Sequence, residues 1–271
     1  MRGYASCRWG QVHYRSAGAI RGDASRTAAL LFHESPQSSA IFERALPLLG
    51  ERLAAYAFDT PGYGYSDPPP GPRSVPEYAA AMLEAASSLG LDRFAAVGVH
   101  TGTGIALQMA AQAPERVSHL VISGTPGAMR EWRAGWLADP PGPIPLADDG
   151  AHLRNQWLTA TGRGGTADLA LATLMTTSVL RIHERWGWAL DGVARHDPEP
   201  DLRALSCPVL VLGVEFDTLI EEDREAALAA PGARFELVEG LPGQLPWRAP
   251  HRFARAVSDF VAGPDPDPGV A

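Results

Sequence analysis

His100 is the residue whose surroundings in the sequence best suit chemistry. It stands between Gly98 and Gly102, where a short apolar run gives way to an Ala-rich stretch. Glycines on both sides allow a sharp turn from strand to helix, because the residue between them takes a strained conformation and the chains pack closely. An imidazole at such a turn reaches the floor of a pocket and can exchange protons near neutral pH. The sequence therefore predicts a general acid or base at position 100, rather than a residue that merely fills space.

The residues around this turn resemble the Gly-x-Ser-x-Gly motif of the α/β-hydrolase superfamily, with His100 at the serine position. Further segments resemble superfamily motifs in the expected order. Residues 31–36 resemble the His-Gly-x-Pro loop of epoxide hydrolases and hydroxynitrile lyases, and residues 59–67 resemble the Asp-x-x-Gly-x-Gly-x-Ser loop. Residues 243–246 resemble the Gly-His-x-Pro segment. The resemblance covers nearly the whole chain and implies an α/β-hydrolase fold.

The same resemblance implies roles for five more residues. Asp217 follows a strand at the usual site of the triad acid, and Gln244 stands where the catalytic histidine belongs. The backbone N–H groups of Ser35 and Thr101 correspond to the oxyanion hole, and Glu34 replaces the loop glycine beside it. A carboxylate there would oppose a developing oxyanion unless it is protonated or turned away, which disfavours ordinary ester hydrolysis.

The triad itself is altered, and this changes the expected chemistry. A triad works because a histidine takes the proton from a hydroxyl nucleophile. An amide cannot accept that proton, so Gln244 is not a base. We expect Gln244 to bridge Asp217 and His100, with direct support of His100 by Asp217 as the alternative. Asp217 as a purely structural turn residue remains open, and Glu34 is either next to the site or at the surface.

Composition excludes several classes of function. The 271 residues contain 23 basic residues, all of them arginine, and 31 acidic ones, for a net charge of −8. The negative charge argues against a nucleic-acid partner. The absence of lysine excludes Schiff-base and pyridoxal-phosphate catalysis. We expect no metal and no cofactor, because no metal-ligand or phosphate-loop spacing occurs.

We expect neither a secretory signal nor a membrane span. The N-terminus has no apolar signal-peptide core, and no apolar run is long enough to span a bilayer. We therefore expect a cytoplasmic protein with no membrane partner, either a monomer or a homodimer. Cys207 opens an apolar run and is interpreted as a buried strand residue.

Short apolar runs alternate with helical patterns, which predicts a mostly parallel sheet with helices on both faces. The predicted strands are 28–32, 53–58, 94–99, 117–123, 209–214 and 235–238, with an antiparallel edge pair around 12–15. A capping box at Ser74 and Glu77 predicts a helix that ends near Gly90. Further helices are expected at 102–113 and 249–261.

The alternation breaks in the middle of the chain, which predicts a helical lid. The expected organisation is a core domain in two parts, 1–125 and 202–262, a lid from 126 to 201, and a disordered tail from 263 to 271. Five of the seven tryptophans lie in the lid. We expect some lid residues to line a substrate pocket, with His183 and Trp186 on one helix face. The candidate substrate-binding residues are Trp132, Trp136, Trp157, His183 and Trp186.

Three functions fit these patterns. The first is an enzyme in which His100 is a general acid or base on a small apolar substrate, in cyclisation, isomerisation, elimination or lyase chemistry of specialised metabolism. The second is a hydrolase in which His100 activates water for attack on an ester, lactone or epoxide. The third is a ligand-binding pseudoenzyme. The residues favour the first, without covalent catalysis.

Overall fold

A computed structural model of the chain describes residues 1–18, 26–125, 130–162 and 168–263. The predicted disordered tail lies outside the described residues from position 264 onwards, as do the first four positions of the predicted lid. None of the helices in the described ranges has both the length and the apolar character needed to cross a membrane.

In the part of the chain that the structure describes, eight strands form one sheet. In chain order they are β1 (Arg2–Cys7), β2 (Gly10–Ala17), β3 (Ala28–Phe32), β4 (Ala54–Phe58), β5 (Phe94–Val99), β6 (Val117–Ser123), β7 (Val209–Val214) and β8 (Arg234–Val238). Their spatial order is β1-β2-β4-β3-β5-β6-β7-β8. The pairs from β4 to β8 are parallel, whereas β1 and β2 form an antiparallel edge. The predicted mostly parallel sheet is confirmed.

Eleven α-helices lie in the described part of the chain. They are α1 (Leu46–Leu49), α2 (Val75–Ser88), α3 (Thr101–Gln112), α4 (Arg130–Ala138), α5 (Ala151–Gly162), α6 (Leu169–Arg181), α7 (Trp188–Arg195), α8 (Glu199–Arg203), α9 (Ile220–Ala229), α10 (Leu245–Arg248) and α11 (Pro250–Ala262). A 3₁₀ helix covers Ser39–Phe42. The helix α2 begins at the predicted capping box, in which the Ser74 and Glu77 side chains each accept the other residue's backbone N–H.

Two apolar cores lie on the two faces of the sheet. Because strand side chains alternate, Leu30 and Phe32 of β3 enter one core while Ala29 and Leu31 enter the other. The first core contains residues of α2 and α3, and the second contains residues of α1 and α11. Helices on both faces of a mostly parallel sheet give the α/β-hydrolase architecture that the motifs imply.

Helices α4–α8, called the insertion below, lie between β6 and β7. The loop after β4 holds the insertion to the sheet: the Tyr63 hydroxyl donates to the Trp186 carbonyl over 3.0 Å and accepts from the Ala189 N–H over 2.9 Å. Nearby, Arg185 Nε donates to the Gly62 carbonyl over 2.6 Å.

Two local predictions were wrong. His183 and Trp186 do not share a helix, because residues 182–187 form turns between α6 and α7. Helix α6 ends at Arg181, and the chain continues in turns closed by short-range bonds, such as that from the Arg185 N–H to the Ile182 carbonyl over 2.8 Å. Cys207 is half-buried and lies before β7, which begins after Pro208. Proline cannot donate to a strand ladder, so pairing starts beyond it.

Candidate active site

His100 lies at the turn between β5 and α3, with φ 50° and ψ −118°. This is a strained conformation for a residue with a side chain, and it needs support from its surroundings. Support comes from the His100 N–H, which donates to the Ser123 carbonyl over 2.8 Å. The flanking glycines are required by close packing, since a Cβ at Gly102 would lie 2.1 Å from the Phe32 carbonyl oxygen. The predicted sharp strand-to-helix turn is confirmed.

The ring of His100 pairs directly with Asp217. Its Nε2 lies 2.9 Å from Asp217 Oδ2, and Asp217 is held in the loop after β7 by accepting the Leu219 N–H at Oδ1 over 3.0 Å. The two residues are 117 positions apart in sequence. They meet because β5 and β7 both end at the same edge of the parallel sheet. Of the two predicted arrangements, the structure has the direct contact.

Gln244 does not form the predicted bridge. It has a left-handed backbone, with φ 47°, at the start of α10. Its carbonyl oxygen Oε1 accepts from Arg248 Nε over 3.4 Å. The bridge is unnecessary because the His100 ring, longer than a serine side chain, reaches Asp217 without help. Gln244 therefore belongs to the cap of α10 in this structure.

Glu34 is buried beside the other side of the His100 ring. Its Oε2 lies 4.0 Å from His100 Nδ1, and only 5% of the residue is exposed. The structure thus places Glu34 next to the site rather than at the surface. Because Nε2 is engaged with Asp217, Nδ1 is the ring nitrogen left facing Glu34. About 23% of the His100 side chain remains exposed, so a small molecule can reach the ring.

The surrounding carboxylates determine the charge of His100. Burial lowers the pKa of the imidazole, but the hydrogen bond to Asp217 and the charges of Asp217, Glu34 and Asp223 outweigh it and raise the pKa to about 9. Burial raises the pKa of Asp217, yet the bond to His100, its charge and the Leu219 N–H leave it below its usual value. At neutral pH the pair is an imidazolium and a carboxylate.

Asp223 is a charged neighbour that the sequence analysis missed. It is fully buried in the first turn of α9, and its carboxylate accepts the N–H groups of Gly124 and Thr125 over 2.9 and 2.8 Å. Burial raises its pKa to about 6, opposed by those two N–H groups. The His100 ring packs on Gly124, where a Cβ would lie 2.2 Å from His100 Cδ2. In the sequence, Asp223 belongs to the acidic first turn of a helix, and nothing there distinguishes a buried aspartate from an exposed one.

One predicted oxyanion donor is already bonded within the protein. The Ser35 N–H donates to the Thr101 hydroxyl over 2.6 Å, and that hydroxyl lies 3.5 Å from the His33 carbonyl, to which it donates. Thr101 is the first residue of α3, so its own N–H lies at the helix N-terminus. A substrate oxygen would have to displace the Thr101 hydroxyl to use Ser35.

Only part of the predicted substrate-binding set comes together. Trp132, Trp136 and Trp186 form a row, with ring centroids 5.3 and 5.8 Å apart between successive members. Trp157 is half-buried on α5. The carbonyl of His183 accepts the Ile144 N–H over 2.9 Å. Of the five, Trp186 lines the cavity nearest the Glu34–Ser35 loop.

That cavity has a volume of about 210 Å³ and lies between the loop after β3 and the insertion. Its walls include Pro36, Gln37, Met175, Val179 and Trp186. Pro36 and Gln37 directly follow the loop residues that approach His100. Across the described ranges, no group of three or more His, Cys, Asp or Glu side chains is arranged to hold a metal ion.

Comparison with known proteins supports the α/β-hydrolase fold. The sequence profile of the family described as "alpha/beta hydrolase fold" matches residues 30–145. An uncharacterized protein of Mycobacterium tuberculosis is 35% identical over 121 residues, which are 44% of this chain and 35% of the relative. Haloalkane dehalogenase 2 of the same species is 29% identical over 117 residues, 43% of this chain and 39% of its own length. These alignments span well under half of the relatives' length.

Among solved structures, the enol-lactonase of Burkholderia xenovorans LB400 superposes with a TM-score of 0.79. The match covers 96% of this chain and all of the lactonase, at 19% identity. At that identity the likeness concerns the fold.

Proposed function

We propose that this chain, which has the α/β-hydrolase fold, is a hydrolase that adds water to a small, neutral ester or lactone without forming a covalent enzyme intermediate. The observation that carries the proposal is the charge arrangement at the turn. An imidazolium at His100 is paired through Nε2 with Asp217, and its Nδ1 lies 4.0 Å from the buried carboxylate of Glu34. In ester hydrolysis, the carboxylate can take a proton from water and the cation can stabilise the oxyanion that forms.

In this mechanism Glu34 takes a proton from water while the water oxygen bonds to the carbonyl carbon. The carbonyl oxygen gains negative charge, and the His100 Nδ1–H donates to it. The tetrahedral intermediate then collapses, the C–O bond to the leaving oxygen breaks, and Glu34 returns its proton to that oxygen. One water is consumed, and His100 stays protonated throughout.

The charge of His100 favours this route over the second function considered from the sequence, in which His100 itself activates water. A histidine that activates water must be neutral, and a ring with a pKa of about 9 is protonated at neutral pH. The same charge suits stabilisation of an oxyanion. The objection raised by Glu34 also weakens in this mechanism, because Glu34 takes a proton from water as the oxyanion forms and is then uncharged. With Ser35 engaged by Thr101, the ring N–H joins the Thr101 N–H at the helix N-terminus as a donor for the oxyanion.

Asp217 has a supporting role in the proposal. Its bond to Nε2 fixes the ring orientation so that Nδ1–H points away from it, and its charge keeps the ring protonated. In this account the insertion acts as a lid, and together with the loop after β3 it forms the cavity of about 210 Å³ next to the site.

The comparisons support hydrolysis better than the cyclase, isomerase or lyase chemistry that the sequence favours. A lactonase has a closely similar fold, and a haloalkane dehalogenase is a partial sequence relative. Neither argues for a protein that only binds its ligand. The alkyl-rich cavity wall of Met175 and Val179 suits an apolar acyl or ring substituent.

The test is turnover in ¹⁸O-labelled water. The purified protein is incubated with 4-nitrophenyl butyrate, γ-decalactone and styrene oxide, and products are analysed by mass spectrometry. We expect the ester or lactone to give an acid that carries one ¹⁸O per turnover, and Glu34→Gln to abolish this. Under single-turnover conditions all the label should enter the product and none the protein. Label in a protein carboxylate, or no hydrolysis above the buffer rate, would overturn the proposal.

A further inference from the structure

The chain segment directly after β6, residues 123–125, holds His100 at two points. The carbonyl of Ser123 accepts the His100 N–H over 2.8 Å, which supports the strained backbone of the turn. The ring lies against Gly124, where an added Cβ would come within 2.2 Å of Cδ2 and 2.7 Å of Nε2. Nε2 is the atom that bonds to Asp217. Residues 123–125 therefore hold both the backbone of His100 and the edge of the ring that carries Nε2.

Asp223 holds this segment in turn. Its Oδ2 accepts the Gly124 N–H over 2.9 Å, its Oδ1 accepts the Thr125 N–H over 2.8 Å, and the residue has no exposed surface. Burying a carboxylate is costly unless donors compensate its charge, and here two backbone N–H groups do so. With one bond on each oxygen, the carboxylate fixes both the place and the direction of the backbone. This contact of Asp223 with the N–H groups of Gly124 and Thr125 is called the clamp below.

The clamp bears on the chemistry because one hydrogen bond does not fix a ring. The bond from Nε2 to Asp217 sets the distance of the imidazole but leaves its plane free to pivot about that bond. A fixed backbone against Cδ2 and Nε2 limits the pivoting, so that Nδ1 stays directed towards Glu34, 4.0 Å away. A catalytic group displaced by about 1 Å can cost 10²-fold in rate.

We propose that Asp223 is a positioning residue for the proposed hydrolysis, because its clamp on Gly124 and Thr125 keeps the His100 Nδ1–H in the direction that the oxyanion requires. The inference rests on the proposed function, since it concerns the same ring and the same reaction. Asp223 acts through Gly124 and has no exposed surface, so it meets no substrate. It should therefore affect the rate of the chemical step more than the binding of substrate.

Protonation of Asp223 loosens the clamp without any substitution. Burial raises its pKa to about 6, against the effect of the two N–H groups and of the His100 charge. A protonated carboxyl group has one oxygen that donates, so one of the two N–H groups loses a strong acceptor. His100, with a pKa of about 9, and Asp217, with a pKa below its usual value, keep their charges near pH 6. The charged side chains that line the cleft beside α8 and α9 are Arg133, Asp197, Glu199, Arg203, Glu222 and Glu225.

The first test follows the unmodified protein by NMR from about pH 7.5 down to about pH 5. The amide signals of Gly124 and Thr125 report on the clamp. The Cδ2–H signal of His100, identified by its absence in His100→Gln, reports on the ring. We expect the amide and ring signals to shift together with a midpoint near pH 6. Glu34→Gln should keep this transition, which excludes Glu34 as its source.

Asp223→Asn provides the second test. An amide offers one acceptor oxygen, and its NH₂ group opposes the other N–H, so the clamp is lost at nearly constant volume. We expect the shared transition to disappear, and kcat on the hydrolysed substrate to fall about 10- to 100-fold with KM within about twofold. Asp168→Asn is the matched control, because Asp168 also accepts two N–H groups, from Leu171 and from the Trp247 indole, each over 2.9 Å. It should keep both the His100 transition and kcat.

Three results would overturn the proposal. Amide signals that do not titrate near pH 6 would contradict the clamp, and a constant His100 signal beside titrating amides would show that the ring does not follow it. A folded Asp223→Asn protein with full kcat would leave Asp223 a purely structural role. If thermal melts show that Asp223→Asn does not fold, the titration of the unmodified protein decides. Amide and ring signals that titrate together in a protein without hydrolytic activity would reject the proposed reaction and leave the positioning of His100 by Asp223 standing.

Discussion

A histidine at the apex of a strand-to-helix turn can do what a serine there does not. Serine needs a separate base, whereas the His100 ring reaches across to Asp217 and keeps a second nitrogen for the pocket. In the proposed mechanism, histidine at the serine position of the Gly-x-Ser-x-Gly motif leaves no hydroxyl nucleophile there and supplies a positive charge instead. At this scale the properties of one side chain decide which reactions are open to the site.

The first prediction concerns turnover by His100 variants. His100→Gln keeps a polar side chain of similar length but removes the charge, so stabilisation of the oxyanion is lost. We expect kcat on the hydrolysed ester or lactone to fall about 10²–10³-fold. Asp217→Asn should reduce kcat less at acidic pH, where the ring stays protonated without help. Steady-state kinetics beside a thermal melt checks both, and a folded His100→Gln protein with full activity would remove His100 from the mechanism.

The second prediction links the charge of His100 to stability. The pKa of the ring is about 9 in the folded protein and 6.5 in an unperturbed histidine, so folding favours the imidazolium. Its contribution is fully present below pH 6.5 and is lost as the pH rises through about 9, with a magnitude on the order of 3 kcal/mol. Urea unfolding of the unmodified protein and His100→Gln should show a difference at about pH 6 that shrinks by about pH 10. A difference that is constant across this range would mean that the ring is not charged.

At the scale of elements, the site lies where β5 and β7 end, and the loop after β4 attaches the insertion to the sheet. The sequence predicts the strands well: 28–32, 94–99, 117–123 and 209–214 match β3, β5, β6 and β7 at both ends. β3, β5 and β7 are buried along their whole length, so they appear as continuous apolar runs with clear limits. His100 follows β5 and Asp217 follows β7, and parallel strands end at the same edge of a sheet, so the predicted strands also place these two residues at one edge.

Contacts between distant segments were less predictable. The choice between a direct His100–Asp217 bond and a bridge by Gln244 depends on a separation of a few ångströms, which no local pattern encodes. The turns at 182–187 replace a predicted helix face, and Tyr63, far away in sequence, binds the Trp186 carbonyl there and the Ala189 N–H just beyond. Gln37 and Asp223 have ordinary sequence surroundings, and only tertiary packing buries them.

The third prediction tests the attachment of the insertion. Tyr63 is 1% exposed, and Tyr63→Phe leaves the Ala189 N–H and the Trp186 carbonyl without their partner. We expect the free energy of unfolding to fall by about 1–3 kcal/mol. Tyr65→Phe is the matched control, because Tyr65 is 53% exposed. Within the described residues, its hydroxyl has one hydrogen bond, which it accepts from Arg181 over 3.2 Å. That variant should stay within about 0.5 kcal/mol of the unmodified protein. Equal stability of the two variants in chemical denaturation would show that this contact does not hold the insertion.

At the scale of the whole molecule, the net negative charge favours neutral substrates in the proposed reaction. The net charge of −8 repels anions, and the three carboxylates around His100 add to that field at the site. Neutral esters and lactones meet no such barrier, whereas their anionic acid products do. The field of the protein therefore favours substrate entry and product release in the proposed reaction.

The fourth prediction is that the protein is inert towards serine-directed reagents. The turn holds His100 instead of serine, and the usual base position holds Gln244. A fluorophosphonate probe should leave the intact mass unchanged, and hydrolysis should show no burst of product equal to the enzyme concentration. Stoichiometric labelling at any hydroxyl would contradict a mechanism without a covalent intermediate.

The measurement that tests the central claim most directly is the dependence of kcat/KM on pH for the hydrolysed substrate, from about pH 6 to about pH 10.5. If the His100 imidazolium stabilises the oxyanion, kcat/KM should be level near neutral pH and fall as the pH rises through about 9. In Asp217→Asn the fall should move to lower pH, because the carboxylate that raises the pKa of the ring is gone. Activity that instead rises through pH 9 would show that neutral His100 acts as the base, and would contradict the account.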